Sequence, residues 1–280
     1  MTVGVELVIL LVALGAGILG SMVGLGGGVF MVPIFSAFLG VPLKTAIAAS
    51  AVSVVVNSLG GAAIYLRHHM VNLRLGLLLL ISTTLGAIIG GLLVLSAPVN
   101  ALRVVFAITL YAMVTMMLRQ RTLGESTELP DDPLGLRASY YDPARGGDVT
   151  YVPIRVLPGM GLSTIAGVVS GLLGIGGGAV QVPLMNAIMR VPVKAAAATS
   201  VFMVGITVVA SALLYYSAGL ISPEVTAPAI LGVFLGSQTG SRLARRVRGP
   251  VLSRILIVIL LYLATTILLQ AFGIHVPGAR

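Results

Sequence analysis

Two glycine-rich runs hold the residues best placed to do chemistry: Gly24, Gly26, Gly27 and Gly28 in GLGGG, and Gly174, Gly176, Gly177 and Gly178 in GIGGG. Three consecutive glycines do not sustain a regular helix, because backbone entropy disfavours it. In an apolar chain the backbone is expected to break there. At membrane depth a break is tolerated only where the freed groups are buried in protein or face a polar cavity. A short helix beginning near Val29 or Ala179 then presents unpaired N–H groups and its positive dipole end to that cavity. Such an end holds an anion without a buried cation. The dinucleotide-loop reading fails, since that motif needs a strand before it, a helix after it and an acid about twenty residues on. No acidic residue lies between Glu6 and Glu125. Close helix packing is the alternative role for such glycines.

Polar side chains on neighbouring segments form a candidate lining. Ser50, Asn57 and Gly61 follow the first run, and Ser200, Thr207 and Ser211 follow the second at the same spacing, which places each trio on one helical face. Gln181 sits one turn into the second short helix, and Gln238 lies in a late apolar segment. Hydroxyl and amide donors can complete an anion's shell, or serve as ordinary interhelical hydrogen bonds. Lys44 and Lys194 stand at helix ends beside VPxK, as snorkelling anchors or as vestibule charges that attract anions. His68 and His69 have no carboxylate partner nearby and read as a solvated loop rather than a metal site. With no cysteine, no nucleophile–base pair and no metal cluster, neither enzymatic chemistry nor a cofactor is expected. No Asp or Glu lies in the middle of an apolar span, so the usual intramembrane proton or cation carrier is missing.

These residues need elements to position them, and composition says what kind. The chain has 280 residues, 58% of them hydrophobic and only 9% charged, with a mean hydropathy of +1.09. Uninterrupted apolar stretches such as Leu77 to Leu95 reach the length that spans a bilayer core as helix. The expected class is an all-α polytopic membrane protein. The N-terminus has no basic region before its apolar stretch and no evident cleavage site, so that stretch is expected to belong to the mature protein. The net charge of +9 belongs to segments between apolar stretches, where topology explains it better than nucleic acid does.

An offset of about 150 residues lays GLGGGVFMVPIFSAFLGVPLKTAIAAS on GIGGGAVQVPLMNAIMRVPVKAAAATS, and Tyr65 on Tyr215. Further along, LGAIIG from Leu85 resembles LGVFLG from Leu231 at a slightly shorter offset. Each copy reads as an apolar segment running into the glycines (Leu7 to Val23; Leu162 to Leu173), then a short helix (Val29 to Leu39; Ala179 to Met189). Three longer segments follow: Thr45 to Leu66, Leu75 to Ser96 and Ala101 to Leu118, then Ala195 to Ser217, Val225 to Leu243 and Leu252 to Phe272. The expected organisation is a first transmembrane repeat over 1–118, a connector over 119–156 and a second repeat over 157–280. Tyr and Val alternate around Pro143 and Gly146-Gly147 in the connector, which predicts a small β-hairpin.

Charge distribution sets the expected orientation. If the chain turns back at each glycine run, fourteen of the seventeen Lys and Arg fall on one side: Arg67, Arg74, the connector, Arg190, Lys194 and the cluster Arg242, Arg245, Arg246, Arg248 and Arg254. The other side receives Lys44, Arg103 and Arg280. That asymmetry is the one expected between cytoplasmic and external faces; a chain running straight through the glycines would split its charges nearly evenly. Each copy then crosses an odd number of times, so the second is inverted relative to the first, with both termini external and the connector cytoplasmic. Transporters use inverted repeats to expose a central site alternately to each side.

The doubled motif GxGGGxxxVP followed by VPxKAxAxS resembles the TauE/SafE sulfite-exporter family over essentially the whole chain. The resemblance implies a multi-pass inner-membrane permease for sulfite, sulfonates such as sulfoacetate, and related anions. The family motif falls on the eight glycines above and on Pro33, Pro42, Lys44, Ser50, Pro183, Pro192, Lys194 and Ser200. Thr199 stands where the first copy has Ala49, so a lining that includes Thr199 is not fully symmetric. The expected partners are a small anionic substrate and the lipid bilayer. An uptake permease, an anion channel and a non-transporting scaffold remain the alternatives, and the assembly is open, with a homodimer among the options.

Overall fold

A computed structural model describes residues 3–118, 130–143, 146–244 and 249–274. The first half comprises α1 (Val3–Val23), α2 (Gly28–Ala37), α3 (Leu43–Arg67), α4 (Leu73–Ser96) and α5 (Val99–Leu118). A hairpin of β1 (Ala138–Asp142) and β2 (Gly147–Tyr151) follows. The second half comprises α6 (Val156–Leu173), α7 (Gly178–Ala187), α8 (Val193–Ser217), α9 (Pro223–Ala244) and α10 (Gly249–Ala271). Among the described residues six helices, α1, α3, α4, α5, α6 and α8, are long and apolar enough to cross a membrane. The protein is an all-α polytopic membrane protein, each half made of a glycine-broken helical hairpin and three long helices. Both short helices start one residue earlier than expected, because the last glycine of each run is already helical.

Helices interleave across the halves. α4 packs against α6 and α8, while α9 packs against α1 and α3; α3 meets α8 at the centre, and α5 pairs with α10. Glycine seams permit this closeness. A methyl on Gly86 or Gly90 would overlap the Thr164 or Val168 carbonyl of α6, and one on Gly232 or Gly236 would overlap the Leu10 or Leu14 carbonyl of α1. In a bilayer, where lipid is as apolar as leucine, such backbone approach supplies the packing energy that burial supplies in water. On the outer face of α4, Leu77, Ile81, Leu85 and Leu92 are exposed at helical spacing, a surface fit for acyl chains.

The hairpin is antiparallel, with Tyr140 opposite Val149. It caps one end of the bundle. Asn72, the N-cap of α4, donates through Nδ2 to the Leu136 carbonyl at 2.9 Å, and Arg74 Nη1 donates to the Gly135 carbonyl at 2.7 Å. Lys194 Nζ lies 2.6 Å from Asp142 Oδ1. Lys44 sits at the other end of α4, where its Nζ donates to the Leu95 carbonyl at 3.0 Å. Twenty-four residues of helix separate these ends, about 36 Å at 1.5 Å per residue, a bilayer's thickness. Arg119, Arg121, Arg145, Arg245, Arg246, Arg248 and Arg280 of the basic set lie outside the described residues.

Candidate functional site

Each glycine of the two runs has its own reason. The first, third and fourth carry positive φ: 82°, 80° and 81° at Gly24, Gly26 and Gly27, and 62°, 83° and 69° at Gly174, Gly176 and Gly177. Side-chain-bearing residues pay about 1–2 kcal/mol there. The fifth position has ordinary helical geometry but no room. A methyl on Gly28 would lie 2.6 Å from Ser50 Oγ and 2.7 Å from the Gly174 carbonyl oxygen, and one on Gly178 would overlap the Gly24 carbonyl. The chain does turn back at each run: Leu25 N donates to the Gly20 carbonyl at 2.8 Å, and a methyl on Gly27 would sit 3.0 Å from the Ala16 carbonyl oxygen of α1.

The two turns lie back to back and are stapled reciprocally. Ser50 Oγ donates to the Gly174 carbonyl at 2.8 Å, and Ser200 Oγ donates to the Gly24 carbonyl at 2.9 Å. Tyr65 donates to the Ser21 carbonyl and Tyr215 to the Gly171 carbonyl, fixing the helix that enters each turn. Ser50 and Ser200 therefore hold the opposite half's turn.

Beside the second turn lies a cavity of about 10 Å³, lined by Thr83, Ala166, Gly167, Ser170, Gly176, Gly177, Gln181, Met203, Val204 and Thr207. That is room for about one water. Gln181 is 2% exposed and donates from Nε2 to Ser163 Oγ at 3.0 Å, while its Oε1 has no partner. Ser170, fully buried, has a hydroxyl without a partner. Thr83 and Thr207 share a hydrogen bond of 3.0 Å across the cavity. The first internal hydrogen bonds of α7 run from Val180 and Gln181 to the Gly177 carbonyl, so the amides of Gly177, Gly178 and Ala179 stand ahead of the helical ladder. Buried polar atoms without partners cost about 1–3 kcal/mol each. Two such atoms, Ser170 Oγ and Gln181 Oε1, lie at the broken helix, and each calls for an explanation.

Of the residues proposed from sequence, Gly176, Gly177, Gln181 and Thr207 meet at this cavity. Gly24, Gly26, Gly27 and Gly28 form the first turn, and Gly174 and Gly178 contact it. Asn57, fully buried in α3, has no partner for either amide atom. Thr199 accepts from the Asn72 amide at 3.0 Å, near the hairpin, and Gln238 is half-buried in α9, outside the cavity lining. Lys44 and Lys194 mark the two ends of α4 rather than the cavity. Thr83, Ser163 and Ser170 were not singled out from sequence. Superposing the copies signals the two serines, which stand where the first copy has Ala13 and Gly20.

The sequence profile for "Sulfite exporter TauE/SafE" matches residues 9–267. The chain belongs to this family. The probable membrane transporter protein YunE of Bacillus subtilis is 25% identical over 94% of this chain and 97% of its own length. The probable membrane transporter protein MJ0441 of Methanocaldococcus jannaschii is 24% identical over 85% of this chain and 86% of its own, and YdhB of B. subtilis is 22% identical over 84% and 89%. No solved structure matches the chain. A TauE/SafE family membrane protein with membrane-transporter relatives is a membrane transporter, and its glycine turns are read in that light.

Proposed function

We propose that the protein exports small sulfur-containing anions (sulfite, sulfoacetate or related sulfonates) across the plasma membrane by alternating access between two inverted halves. One observation carries this reading: unpartnered polar atoms of Ser170 and Gln181 lie with Gly177, ahead of α7, at a small cavity whose lining, among the described residues, holds no cation or carboxylate. Of these groups the Ser170 hydroxyl and the Gly177 amide can donate to an oxyanion, beside the partial positive charge of the α7 N-terminus. Lys44 and Lys194 at opposite ends of α4 support the inverted arrangement, with the termini external and the connector cytoplasmic. The cavity has room for about one water, so on this reading a substrate enters when the halves separate about the paired turns. Anion exit from a cell that is negative inside gains about 2.3 kcal/mol per charge per 100 mV, so export can run on the membrane potential.

Counterflow in proteoliposomes tests this, using labelled sulfite, sulfate and C2 sulfonates with and without an imposed potential. Saturable sulfite or sulfonate exchange at carrier turnover, accelerated outward by an inside-negative potential, is expected. No exchange of any sulfur anion would sink the proposal, and current far above carrier rates would replace it with a channel.

A further inference from the structure

We infer that the cavity beside the second glycine turn selects a singly charged, proton-bearing oxyanion, hydrogensulfite in preference to the sulfite dianion or sulfate. The inference rests on the transport reading above and narrows its substrates to monoanions, which sets the dianionic sulfoacetate aside.

The lining sets the charge. Four elements and one turn form it, and none brings an ionised side chain to it. On those elements the titratable groups are Arg74 at the start of α4, Arg155 before α6, Arg190 beyond α7, and Lys194, Tyr215 and Tyr216 on α8. Arg74, Arg190 and Lys194 lie at least nine residues from the nearest lining residue on their own element, about 14 Å along a helix axis. Lys194 is already paired with Asp142, and the Tyr215 hydroxyl is spent on the Gly171 carbonyl. Behind them, α3 and α5 bring Lys44, Tyr65, Arg67, Arg103 and Tyr111, none of which lines the cavity. The positive element that remains is the α7 end, equivalent to about half a charge. That balances part of one negative charge. A second charge in the same enclosure meets no counter-ion, and burying an unpaired charge is the costliest step a site can take.

Hydrogen-bond polarity sets the proton. Gln181 spends Nε2 on Ser163, so the atom it leaves without a partner is the acceptor Oε1. An acceptor lone pair repels a bare oxyanion but takes the proton that hydrogensulfite carries and the sulfite dianion lacks. Ser170 Oγ, able to donate or accept, and the Gly177 amide ahead of α7 serve the deprotonated oxygens. Donors on one side and one acceptor on the other fit a protonated monoanion.

The test is counterflow by the full-length protein in proteoliposomes, with the same pH inside and out, the potential clamped at zero and protein-free vesicles subtracted. Labelled sulfite at fixed total concentration is followed from about pH 6 to about pH 8.5. Methanesulfonate, a monoanion throughout, reports any effect of pH on the protein. The sulfite rate is expected to fall with the hydrogensulfite fraction, approaching tenfold per pH unit at the alkaline end. Methanesulfonate exchange stays flat, and excess sulfate does not compete. Gln181→Leu is expected to reduce hydrogensulfite exchange about tenfold and methanesulfonate exchange less than about threefold. Ser170→Ala, a smaller change, is expected to slow both anions equally. A sulfite rate that holds or rises with pH, or competition by sulfate, overturns the inference and leaves anion transport standing. If neither sulfite nor methanesulfonate moves at any pH, both readings fall.

Discussion

The two halves share a backbone and differ in what they place on it. Both break at glycines with the same φ pattern, both use a serine to hold the opposite turn, and both tie a tyrosine to the helix entering that turn. Around the second turn the side chains are Ser163, Ser170, Gln181 and Thr207. The equivalent positions in the first half are Ala13, Gly20, Met31 and Asn57. Thr83, which reaches the cavity from α4, corresponds to Ala229 at the shorter offset of that segment. Identity is kept where backbone geometry demands glycine, and polarity diverges where only side chains matter. The repeat builds the scaffold; its departures write the site. Asn57, with both amide atoms unpartnered, is the one strongly polar group left around the first turn at these positions.

The largest effects should come from breaking what the halves share. Gly178→Ala pushes a methyl onto the Gly24 carbonyl, backbone that has nowhere to go. A loss of about 3 kcal/mol or more, and of all transport, is expected from this overpacking. Gly28→Ala brings its methyl to 2.7 Å from the Gly174 carbonyl oxygen, a shallower backbone overlap than at Gly178, so the cost should be smaller. Thermal unfolding in detergent, followed by size-exclusion fluorescence, ranks the two. If Gly178→Ala melts like the wild type, the turns are not back to back.

Next come substitutions that erase the difference. Gln181→Met makes the second half like the first and should reduce hydrogensulfite exchange by about tenfold, the worth of one hydrogen bond from the bound anion's proton to the lost acceptor. Met31→Leu, a volume-conserving change in a fully buried position, should cost under about 1.5 kcal/mol and leave exchange within a factor of about two. Equal losses from both substitutions would show that the halves contribute alike, and that the cavity beside the second turn holds no privileged site.

Much of this was legible in the chain, for reasons that are local. A glycine run, a Val-Pro pair and twenty apolar residues each dictate conformation without knowing their neighbours, so the ten helices of the described residues fall within a few residues of expectation apart from the earlier starts of α1 and α6. Partnerships across the chain were not legible. Helical spacing puts Ser50 and Asn57 on one face, but only packing reveals that Ser50 meets Gly174, 124 residues away, while the buried Asn57 amide finds no hydrogen-bond partner. Thr199 looked like a third lining hydroxyl; the N-terminus of α4 takes it instead, through Asn72. Thr83 gave no signal of its own, because a lone threonine in an apolar helix reads as packing until α4 is seen to cross onto the other half.

A third contrast lies at the ends of α4. Lys194 pairs with a carboxylate that is buried under the hairpin, whereas Lys44 donates to a single exposed backbone carbonyl. Removing one partner of a shielded pair strands the other charge. Lys194→Met should therefore destabilise by about 1–2 kcal/mol, discounted from the fully buried case because the lysine keeps contact with solvent. Asp142→Asn in the same chain should recover part of that loss, and Lys44→Met should cost about 0.5 kcal/mol or less. Additive effects of Lys194→Met and Asp142→Asn would mean that the pair does not couple the hairpin to α8.

The smallest effect concerns how the hairpin's approach is held, a feature that the Lys44 end lacks among the described residues. Asp132 accepts the amides of Leu136 and Arg137, each at 2.7 Å. Those two backbone hydrogen bonds, Leu136 first, hold its carboxyl below the ordinary range, with the Arg137 charge adding to them. A depressed carboxylate contributes order that is fully present above the unfolded value of about 3.9 and is lost as pH falls through the lower folded value. Hydrogen–deuterium exchange at Leu136 and Arg137, corrected for intrinsic rates, should then be constant above about pH 5 and accelerate below about pH 4. Asp132→Asn should exchange faster than the wild type above about pH 5 and show no such step. Because the loop hangs from Asn72 through Leu136, its release at low pH should speed exchange at the start of α4 and leave the Leu95 end unchanged. Equal acceleration at both ends of α4 would mean that the helix loosens as a whole, and that the hairpin does not hold one end more firmly than the other.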